Sequence, residues 1–255
     1  TTGAPLCVIF ENTNTISKDY ENLKDLLRPN HADYPAGIKF KGFNDVRGGG
    51  HFSGRITLPL TFAGAIAIDI LEEKGVKIFS HIKRILDIKD KSFLDFEEID
   101  LEKFENLKES FLPFIENDLE NKTKELLEKI KLSGNSVGGE IECACFNLPV
   151  GLGSPFFDSL ESKISHLAFS VPAIKGISFG IGFDFANILG SEANDLYYLD
   201  NNEIKTRTNN NGGILGGLST GMPLVFSVVV KPTSSISLEQ KTVNIKEMKE
   251  DILKI

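Results

Sequence analysis

The chain has 255 residues, of which 41% are hydrophobic and 25% are charged, a composition typical of a globular protein with a sizeable core. Its formal net charge of −8 argues against non-specific nucleic-acid binding, which needs a basic surface, so we expect no nucleic-acid partner. We identify no run of about eighteen apolar residues and therefore expect no membrane-spanning segment and no membrane partner.

The first third of the chain predicts a strand, a helix, a glycine-rich loop and a second helix. Residues 3–10 (GAPLCVIF) are typical of a buried strand, and residues 17–29 (SKDYENLKDLLRP) of a short amphipathic helix. Residues 53–75 (SGRITLPLTFAGAIAIDILEEKG) are apolar on nearly every side, which predicts a helix buried all round. Two strands are the alternative for this segment, although Pro59 counts against a central strand.

The rest of the chain mixes strands and helices without the regular alternation of a doubly wound sheet. We predict strands at residues 75–88, 138–151, 173–183 and 222–232, helices at 89–132 and 155–172, and Asn- and Gly-rich loops at 190–217. No linker or internal repeat divides the sequence. We therefore predict an α+β fold and a single domain over residues 1–255.

The cysteines indicate a reducing compartment. Cys143 and Cys145 form a C-x-C pattern in a strand-like run, where alternate residues share one face. Buried reduced thiols explain this pattern better than a metal site, because no other ligands cluster nearby. We expect no bound metal and a cytoplasmic location.

Two polar segments early in the chain are candidate sites. In RPNHADY (residues 28–34), the loop residue His31 could donate or accept a proton, although a surface histidine bonded to a local turn is the alternative. In RGGGHFSGR (residues 47–55), three glycines expose peptide N–H groups between Arg47 and Arg55. Such a loop predicts a site for phosphate or carboxylate, and it lacks the Gly-Lys-Ser/Thr of a Walker A motif.

Two further segments carry weaker signals. Residues 209–221 (NNNGGILGGLSTG) hold five glycines but lack the spacing of a dinucleotide-binding motif. The strand that ends in VVVKPTSSIS places Lys231 beside hydroxyl residues, which suits a phosphate-bearing ligand. A solvated strand end explains this segment equally well.

Taken together and in order, these segments closely resemble the chorismate synthase family. The family patterns R-P-x-H-A-D, R-G-G-G-[RH]-[SF]-S-[AG]-R, V-P-x-G-L-G, P-A-x-K-G, G-G-I-x-G-G-I-S and K-P-T-S-S-I are matched by the following segments: RPNHAD, RGGGHFSGR, LPVGLG, VPAIKG, GGILGGLS and KPTSSI. The matches extend over essentially the whole chain.

The resemblance implies a fold, an assembly and a reaction. It implies helices sandwiched between antiparallel β-sheets, in a homotetramer. Enzymes of this family convert 5-enolpyruvylshikimate 3-phosphate to chorismate and phosphate by a 1,4-anti elimination, the last step of the shikimate pathway. They require reduced FMN although the reaction is redox-neutral. The resemblance leaves open whether NADPH reduces the flavin on this protein or on an external reductase.

The resemblance also implies roles for individual residues. His31 matches a histidine beside the flavin that is proposed as a proton donor. Arg55 and Ser53 match a pair that anchors the substrate, and Arg28 and Arg47 match residues of the site wall. The implied flavin contacts are His51, Phe52, Ser53, Pro172, Ala173, Gly216, Lys231, Pro232, Thr233, Ser234 and Ser235.

The sequence departs from the family pattern outside these segments. The G-E-S-H-G, R-[RS]-x-P-G and G-R-H-D-P-C motifs do not occur in it. Because they supply a second histidine, substrate-binding arginines and a catalytic aspartate, we expect this span alone to be inactive and the full-length protein to be active. The rival hypotheses are a flavin- or nucleotide-binding module without catalysis and a flavin oxidoreductase with net hydride transfer.

Overall fold

The computed structural model describes residues 2–11, 25–44, 47–96 and 100–254, and it describes the backbone but not the side chains of residues 47–49. The chain divides into two compact units. The first unit comprises residues 1–67, 130–136 and 233–255, and the second comprises residues 68–129 and 137–232. The predicted extent of one domain over residues 1–255 stays a prediction.

The second unit is built on a five-stranded sheet. Its strands are β1 (Lys77–Ile85), β2 (Ile88–Lys89), β3 (Gly139–Phe146), β4 (Ile174–Phe179) and β9 (Leu224–Val230). They lie in the order β2-β1-β3-β9-β4, and every neighbouring pair is antiparallel. Two small hairpins accompany the sheet, formed by β5 (Tyr197–Asp200) with β6 (Glu203–Thr206) and by β7 (Ile214–Leu215) with β8 (Leu218–Ser219).

Six helices are described in these ranges. They are α1 (Asp33–Lys39), α2 (Thr57–Glu72), α3 (Glu102–Glu105), α4 (Asp118–Leu132), α5 (Leu160–Ser170) and α6 (Gly190–Ala193). The first unit also contains the hairpin β10 (Gln240–Asn244) and β11 (Lys249–Leu253). Helices combined with antiparallel sheets confirm the predicted α+β fold class.

One face of the large sheet carries the core of the second unit. Strand β3 alternates, so that Glu142, Ala144 and Phe146 point into this core while Ile141 is exposed. The cluster of buried apolar residues consists of Phe79, Phe93, Phe104, Leu107, Ala144, Phe146 and Val225. Four aromatic contacts within this cluster are edge-on or tilted, and the Phe104 and Phe146 rings are stacked.

A network of charged residues is buried beside this cluster. His81 is fully buried, and its Nδ1 lies 2.9 Å from Asp90 Oδ2 while its Nε2 lies 3.2 Å from Glu142 Oε2. Glu142 also accepts hydrogen bonds from Lys83 Nζ at 2.7 Å and from the Phe93 backbone N–H at 2.6 Å. Buried charges are tolerated only when they are paired in this way.

The pairing shifts the pKa values of both Glu142 and His81. Burial alone would raise the pKa of Glu142, but hydrogen bonds from His81 and Lys83 and the charge of Lys83 lower it to about 2. Burial alone would lower the pKa of His81, but the two carboxylates raise it above its usual value. The network is therefore charged when the protein is folded near neutral pH.

Helix α2 forms as predicted, but the prediction that it is buried was wrong. None of its residues is buried, and large apolar side chains such as Leu58 and Ile70 are about half exposed. The 19-residue segment Gly54–Glu72 has a mean hydropathy of 1.4 and is long and apolar enough to cross a membrane by length and composition alone, against the expectation of no such segment. Core helices of soluble proteins share these properties, so the segment by itself assigns no membrane role.

The N-terminal prediction was also wrong. Residues 2–11 form no strand, and Leu6 and Ile9 are 71% and 81% exposed. A strand needs a neighbour for its backbone hydrogen bonds, and the described residues supply none here. The predicted helix at 17–29 falls largely outside the described residues, and residues 25–29 are not helical.

Candidate functional site

The segment RPNHAD forms a tight turn that is closed by an ion pair. Asn30 adopts a positive φ of 61°, which asparagine tolerates better than most residues. Arg28 donates hydrogen bonds to the Asp33 carboxylate from Nε at 2.9 Å and from Nη2 at 2.7 Å. Its backbone N–H donates to the same carboxylate at 3.0 Å. This bidentate pair fixes the direction of the Arg28 guanidinium.

The ion pair sets the charge of Asp33. Burial alone would raise the pKa of Asp33, but the hydrogen bonds and the charge of Arg28 hold it below the usual value. The nearby His31 contributes in the same direction. Asp33 is therefore an anion that balances one of the predicted substrate-binding arginines, a partner that the sequence reasoning did not assign.

His31 contacts a segment that lies far away in the sequence. Its Nε2 is 3.1 Å from Ser235 Oγ, across 204 residues of chain. Ser234 Oγ donates to the Asn30 backbone carbonyl at 3.3 Å. The structure thus brings together two of the segments singled out in the sequence, RPNHAD and KPTSSI.

The C-terminal hairpin holds this arrangement in place. The Leu27 backbone N–H donates to the Val243 carbonyl at 3.1 Å, and the Ile245 N–H donates to the Asp25 carbonyl at 2.9 Å. The Thr242 hydroxyl donates to the Leu27 carbonyl. The His31 turn is therefore attached to β10 by backbone hydrogen bonds on the N-terminal side of Arg28.

The glycine-rich loop lies in the same unit as His31. Residues Arg47–Phe52 and Gly54–Ile56 form two short 3-10 turns that lead into α2. Ser53 Oγ accepts a hydrogen bond from the Arg55 backbone N–H at 3.2 Å, which caps the second turn. His51 and Phe52 are exposed, whereas the side chain of Arg47 lies outside what the structure describes.

In the second unit, Ala173 and Lys231 are joined by a backbone hydrogen bond. Ala173 has a φ of +74°, an unusual value for a residue with a Cβ atom, and its carbonyl accepts the Lys231 N–H at 2.9 Å. The turn that contains Pro172 and Ala173 is therefore fixed against the end of β9. Backbone strain of this kind is commonly found at functional sites.

Lys231 has a cationic neighbour that sequence reasoning missed. Partial burial and the positive charge of Lys175 lower the pKa of Lys231. The sheet accounts for this interaction, because Lys175 is the extra residue of a β-bulge beside the Ile174–Val230 pair and Lys231 directly follows Val230. Lys175 therefore adds positive charge near Lys231 in a protein of net charge −8, and such charge suits an anionic ligand.

The segments LPVGLG and GGILGGLS interlock within the second unit. Gly151 N–H donates to the Ser219 carbonyl at 2.9 Å, Ser219 N–H donates to the Leu152 carbonyl at 2.9 Å, and Ser219 Oγ donates to the Pro149 carbonyl at 2.6 Å. A Cβ atom on Gly153 would lie 2.3 Å from the Gly217 carbonyl oxygen. Only glycine lets these two backbones approach so closely.

Gly216 differs from its neighbours. It adopts a φ of +61°, and a Cβ atom placed on it would meet no atom within 4 Å. Its glycine requirement within this chain therefore comes from backbone conformation, and the space beside it is open. An open peptide surface at a turn can be approached by a flat ligand.

The described contacts place six of the predicted residues in two groups. Arg28, His31, Ser234 and Ser235 are linked in the first unit, and Ala173 and Lys231 are linked in the second. Two cavities of about 530 and 440 Å³ in the second unit contain no predicted site residue. Among the described residues, no group of three or more His, Cys, Asp or Glu side chains could hold a metal ion.

Comparisons with known proteins agree with the motif pattern. The chorismate synthase family model matches residues 1–255. A chorismate synthase of Pyrococcus abyssi is 44% identical over 255 residues, which cover all of this chain and 69% of the relative. A chorismate synthase of Chitinophaga pinensis is 46% identical over 246 residues, which cover 96% of this chain and 64% of the relative.

A solved structure shares the fold. A crystal structure of chorismate synthase superposes with a TM-score of 0.69 at 30% identity, covering 77% of this chain and 61% of that chain. This chain therefore spans roughly two thirds of the length of the proteins it matches. Family model, relatives and fold agree, and the chain belongs to the chorismate synthase family, lyases that carry out the final step of the shikimate pathway.

Proposed function

We propose that the protein containing this chain converts 5-enolpyruvylshikimate 3-phosphate to chorismate and phosphate by a 1,4-anti elimination, with reduced FMN and without net redox change. The observation that carries the proposal is the hydrogen bond between His31 and Ser235. It joins the two motif segments that the family resemblance assigns to proton transfer and to flavin binding.

The residues in the second unit fit a reduced flavin. The open peptide surface at Gly216 suits the approach of a planar ring, and Lys231 with Lys175 supplies positive charge for its phosphate or its ring anion. Reduced FMN, when bound, supplies electron density while phosphate leaves and recovers it when the C6 hydrogen is removed. The family resemblance also assigns flavin contacts to Pro172, Ala173 and Pro232 of this unit, and it assigns to the first unit His51, Phe52, Ser53, Thr233, Ser234 and Ser235.

The arginines would hold the substrate, which carries two carboxylates and a phosphate. Arg28 is already oriented by Asp33, so binding loses less side-chain entropy than it would with a mobile guanidinium. Arg55 lies two residues after Ser53, which caps its backbone N–H, and shares its loop with Arg47. Each charge-assisted contact contributes about 1.5–3 kcal/mol.

His31 would hold the proton in this site. The Ser235 hydroxyl lies within hydrogen-bond distance of Nε2 and orients the imidazole ring. The Asp33 carboxylate, itself paired with Arg28, lies close enough to interact electrostatically with His31. We propose His31 as the proton donor on the basis of its place in the family motif and its contact with Ser235.

The exposed apolar helix supports a homotetramer. None of the residues of α2 is buried within the described part of this chain, and such a surface is typical of a subunit interface. Three free thiols at Cys7, Cys143 and Cys145 support a cytoplasmic location. The flavin would be reduced by NADPH, on this protein or on a separate reductase.

Anaerobic assays of the full-length protein test the proposal. With reduced FMN and the phosphorylated substrate, we expect chorismate and phosphate in equal amounts, a transient change in flavin absorbance, and no net oxidation of flavin. Steady NAD(P)H consumption coupled to substrate would instead indicate an oxidoreductase, and flavin binding without product a module without catalysis.

Two histidine variants provide a matched comparison. His31→Ala should lower kcat by about a hundredfold or more, the usual contribution of a general acid. His166→Ala, an exposed histidine on α5, should leave kcat unchanged. Equal activities of the two variants would contradict the role given to His31.

A further inference from the structure

Asp195, between α6 and β5, has a role that neither the motifs nor the proposed reaction assigns. Its Oδ1 accepts hydrogen bonds from the Thr208 hydroxyl and the Asn210 backbone N–H, both at 2.7 Å. Its Oδ2 accepts from the Asn211 backbone N–H at 3.0 Å and from Asn211 Nδ2 at 2.8 Å. All four donors come from one loop, and both carboxylate oxygens are used.

These contacts favour the charged form of Asp195. Burial alone would raise its pKa, but the hydrogen bonds from the Thr208 and Asn211 side chains, followed by those from the Asn211 and Asn210 backbones, lower it. The carboxylate is therefore ionised at neutral pH. Ionised acceptors form stronger hydrogen bonds than neutral ones.

The loop fixed by Asp195 has little room to move. Asn209 bridges it, donating from Nδ2 to the Pro223 carbonyl at 2.8 Å and accepting the Gly213 N–H at 2.7 Å through Oδ1. A Cβ atom on Gly212 would lie 2.3 Å from the backbone nitrogen of Gly180. The backbone of the loop is thus pressed against the end of β4.

This loop leads directly into the turn that contains Gly216. Residues 209–213 are followed by β7, then by Gly216 and Gly217, and then by β8. The Thr220 N–H donates to the Gly213 carbonyl at 3.0 Å and closes the base of this hairpin. The position of the loop therefore sets the position of the open peptide surface at Gly216.

We infer that Asp195 is a positioning residue, whose carboxylate anchors residues 208–211 and thereby places the Gly216 turn for flavin contact. The inference rests on the proposed function, because Gly216 is a flavin contact only if the protein binds reduced FMN. Asp195 itself needs no contact with the ligand. Its effect is transmitted through the backbone of one loop.

The test compares two aspartate variants of the full-length protein. Asp195→Asn keeps the side-chain size but replaces an anionic acceptor with an amide. Asp200→Asn is the control, because Asp200 lies on the adjacent hairpin β5–β6 and pairs with Lys205 at the surface. Hydrogen exchange of the Asn210 and Asn211 amides and the Kd for reduced FMN are measured for both variants.

For Asp195→Asn we expect amide exchange at least tenfold faster at Asn210 and Asn211, and a Kd for reduced FMN raised about ten- to a hundredfold, as small displacements of site residues commonly cause. Asp200→Asn should change neither quantity. A general loss of folded protein would reduce the number of binding sites but leave the Kd of the remainder unchanged, so the Kd separates positioning from stability.

Unchanged exchange at both amides, or faster exchange with an unchanged Kd, would overturn the inference. If the unmodified protein binds no reduced FMN, the proposed function is wrong and the flavin role of Asp195 falls with it. If Asp195→Asn fails to fold, Thr208→Val removes only one donor to Oδ1 and should raise the Kd about threefold. A Thr208→Val protein with unaltered Kd and exchange would then overturn the inference.

Discussion

Replacing Glu142 with glutamine tests the buried charged network of the second unit. The side chain is fully buried and receives hydrogen bonds from His81, Lys83, Ser92 and Phe93. Glutamine has the same shape but no charge, so it imitates the protonated acid. The variant therefore isolates what ionisation of Glu142 contributes to stability.

The pKa of Glu142 gives the magnitude. Folding lowers it from 4.5 to about 2, and at about 1.4 kcal/mol per pKa unit this corresponds to about 3 kcal/mol of stability. Because the pKa is lowered, this contribution is present above pH 4.5 and is lost as the pH falls toward 2. The raised pKa of His81 acts in the opposite sense, since its contribution is complete below 6.5 and is lost as the pH rises through the folded value.

Urea unfolding at 25 °C measures the effect, with Glu140→Gln as the control. Glu140 lies two residues away on the same strand, and its ion pair with Arg84, at 3.1 Å, involves a guanidinium that is 46% exposed. We expect Glu142→Gln to lose about 3 kcal/mol at pH 7 and Glu140→Gln to lose less than about 1 kcal/mol. At about pH 3 the difference between Glu142→Gln and the unmodified protein should shrink to about 1 kcal/mol.

Two results would refute this reasoning. One is a loss below about 1 kcal/mol for Glu142→Gln at pH 7, which is no larger than the loss of a surface ion pair. The other is a loss that stays constant between pH 7 and pH 3, because the contribution of the charge must fade once the carboxylate of the unfolded chain, which has the higher pKa, is protonated.

Three other predictions follow from the geometry. Gly153→Ala should lower the free energy of unfolding by about 3 kcal/mol, because its Cβ would lie 2.3 Å from a carbonyl oxygen at a φ of +104°. Gly151→Ala, with open space around it, should lower that free energy by about 1 kcal/mol in thermal unfolding, and equal losses would contradict the packing argument. Lys175→Gln should raise the pKa of Lys231 and weaken binding of reduced FMN about three- to fivefold at low salt, and an unchanged Kd would contradict the shared positive region. Burial raises the pKa of Cys143 to about 12, so iodoacetamide at pH 8 should modify it only in urea, and mass spectrometry showing full labelling of the folded protein would disagree.

Local patterns predicted the elements whose neighbours are close in sequence or strongly apolar. Strands β1, β3, β4 and β9 and helix α5 lie where apolar alternation or helical spacing places them. The hairpin β5–β6 was missed because its turn, Asn201 and Asn202, belongs to a stretch dominated by loop-forming residues. Both asparagines adopt positive φ, which is typical of a two-residue hairpin turn.

Other features depend on partners that a linear pattern does not show. Helix α2 is apolar on nearly every side, which indicates that it must be buried against something, but the pattern does not show whether this chain supplies the neighbouring residues. His81 and Glu142 sit in strands predicted correctly, yet their pairing depends on the register of β1 against β3. Lys175 was overlooked as a site residue for the same reason, since its proximity to Lys231 follows from the pairing of β4 with β9.

The hydrogen bond between His31 and Ser235 has a consequence for biosynthesis. The ribosome must add 204 residues after the histidine before its serine partner exists, which takes about 10–40 s at about 5–20 residues per second. During that interval the nascent imidazole lacks the neighbour that orients it. The contact between these two side chains therefore forms only late in translation, after the KPTSSI segment has been synthesised.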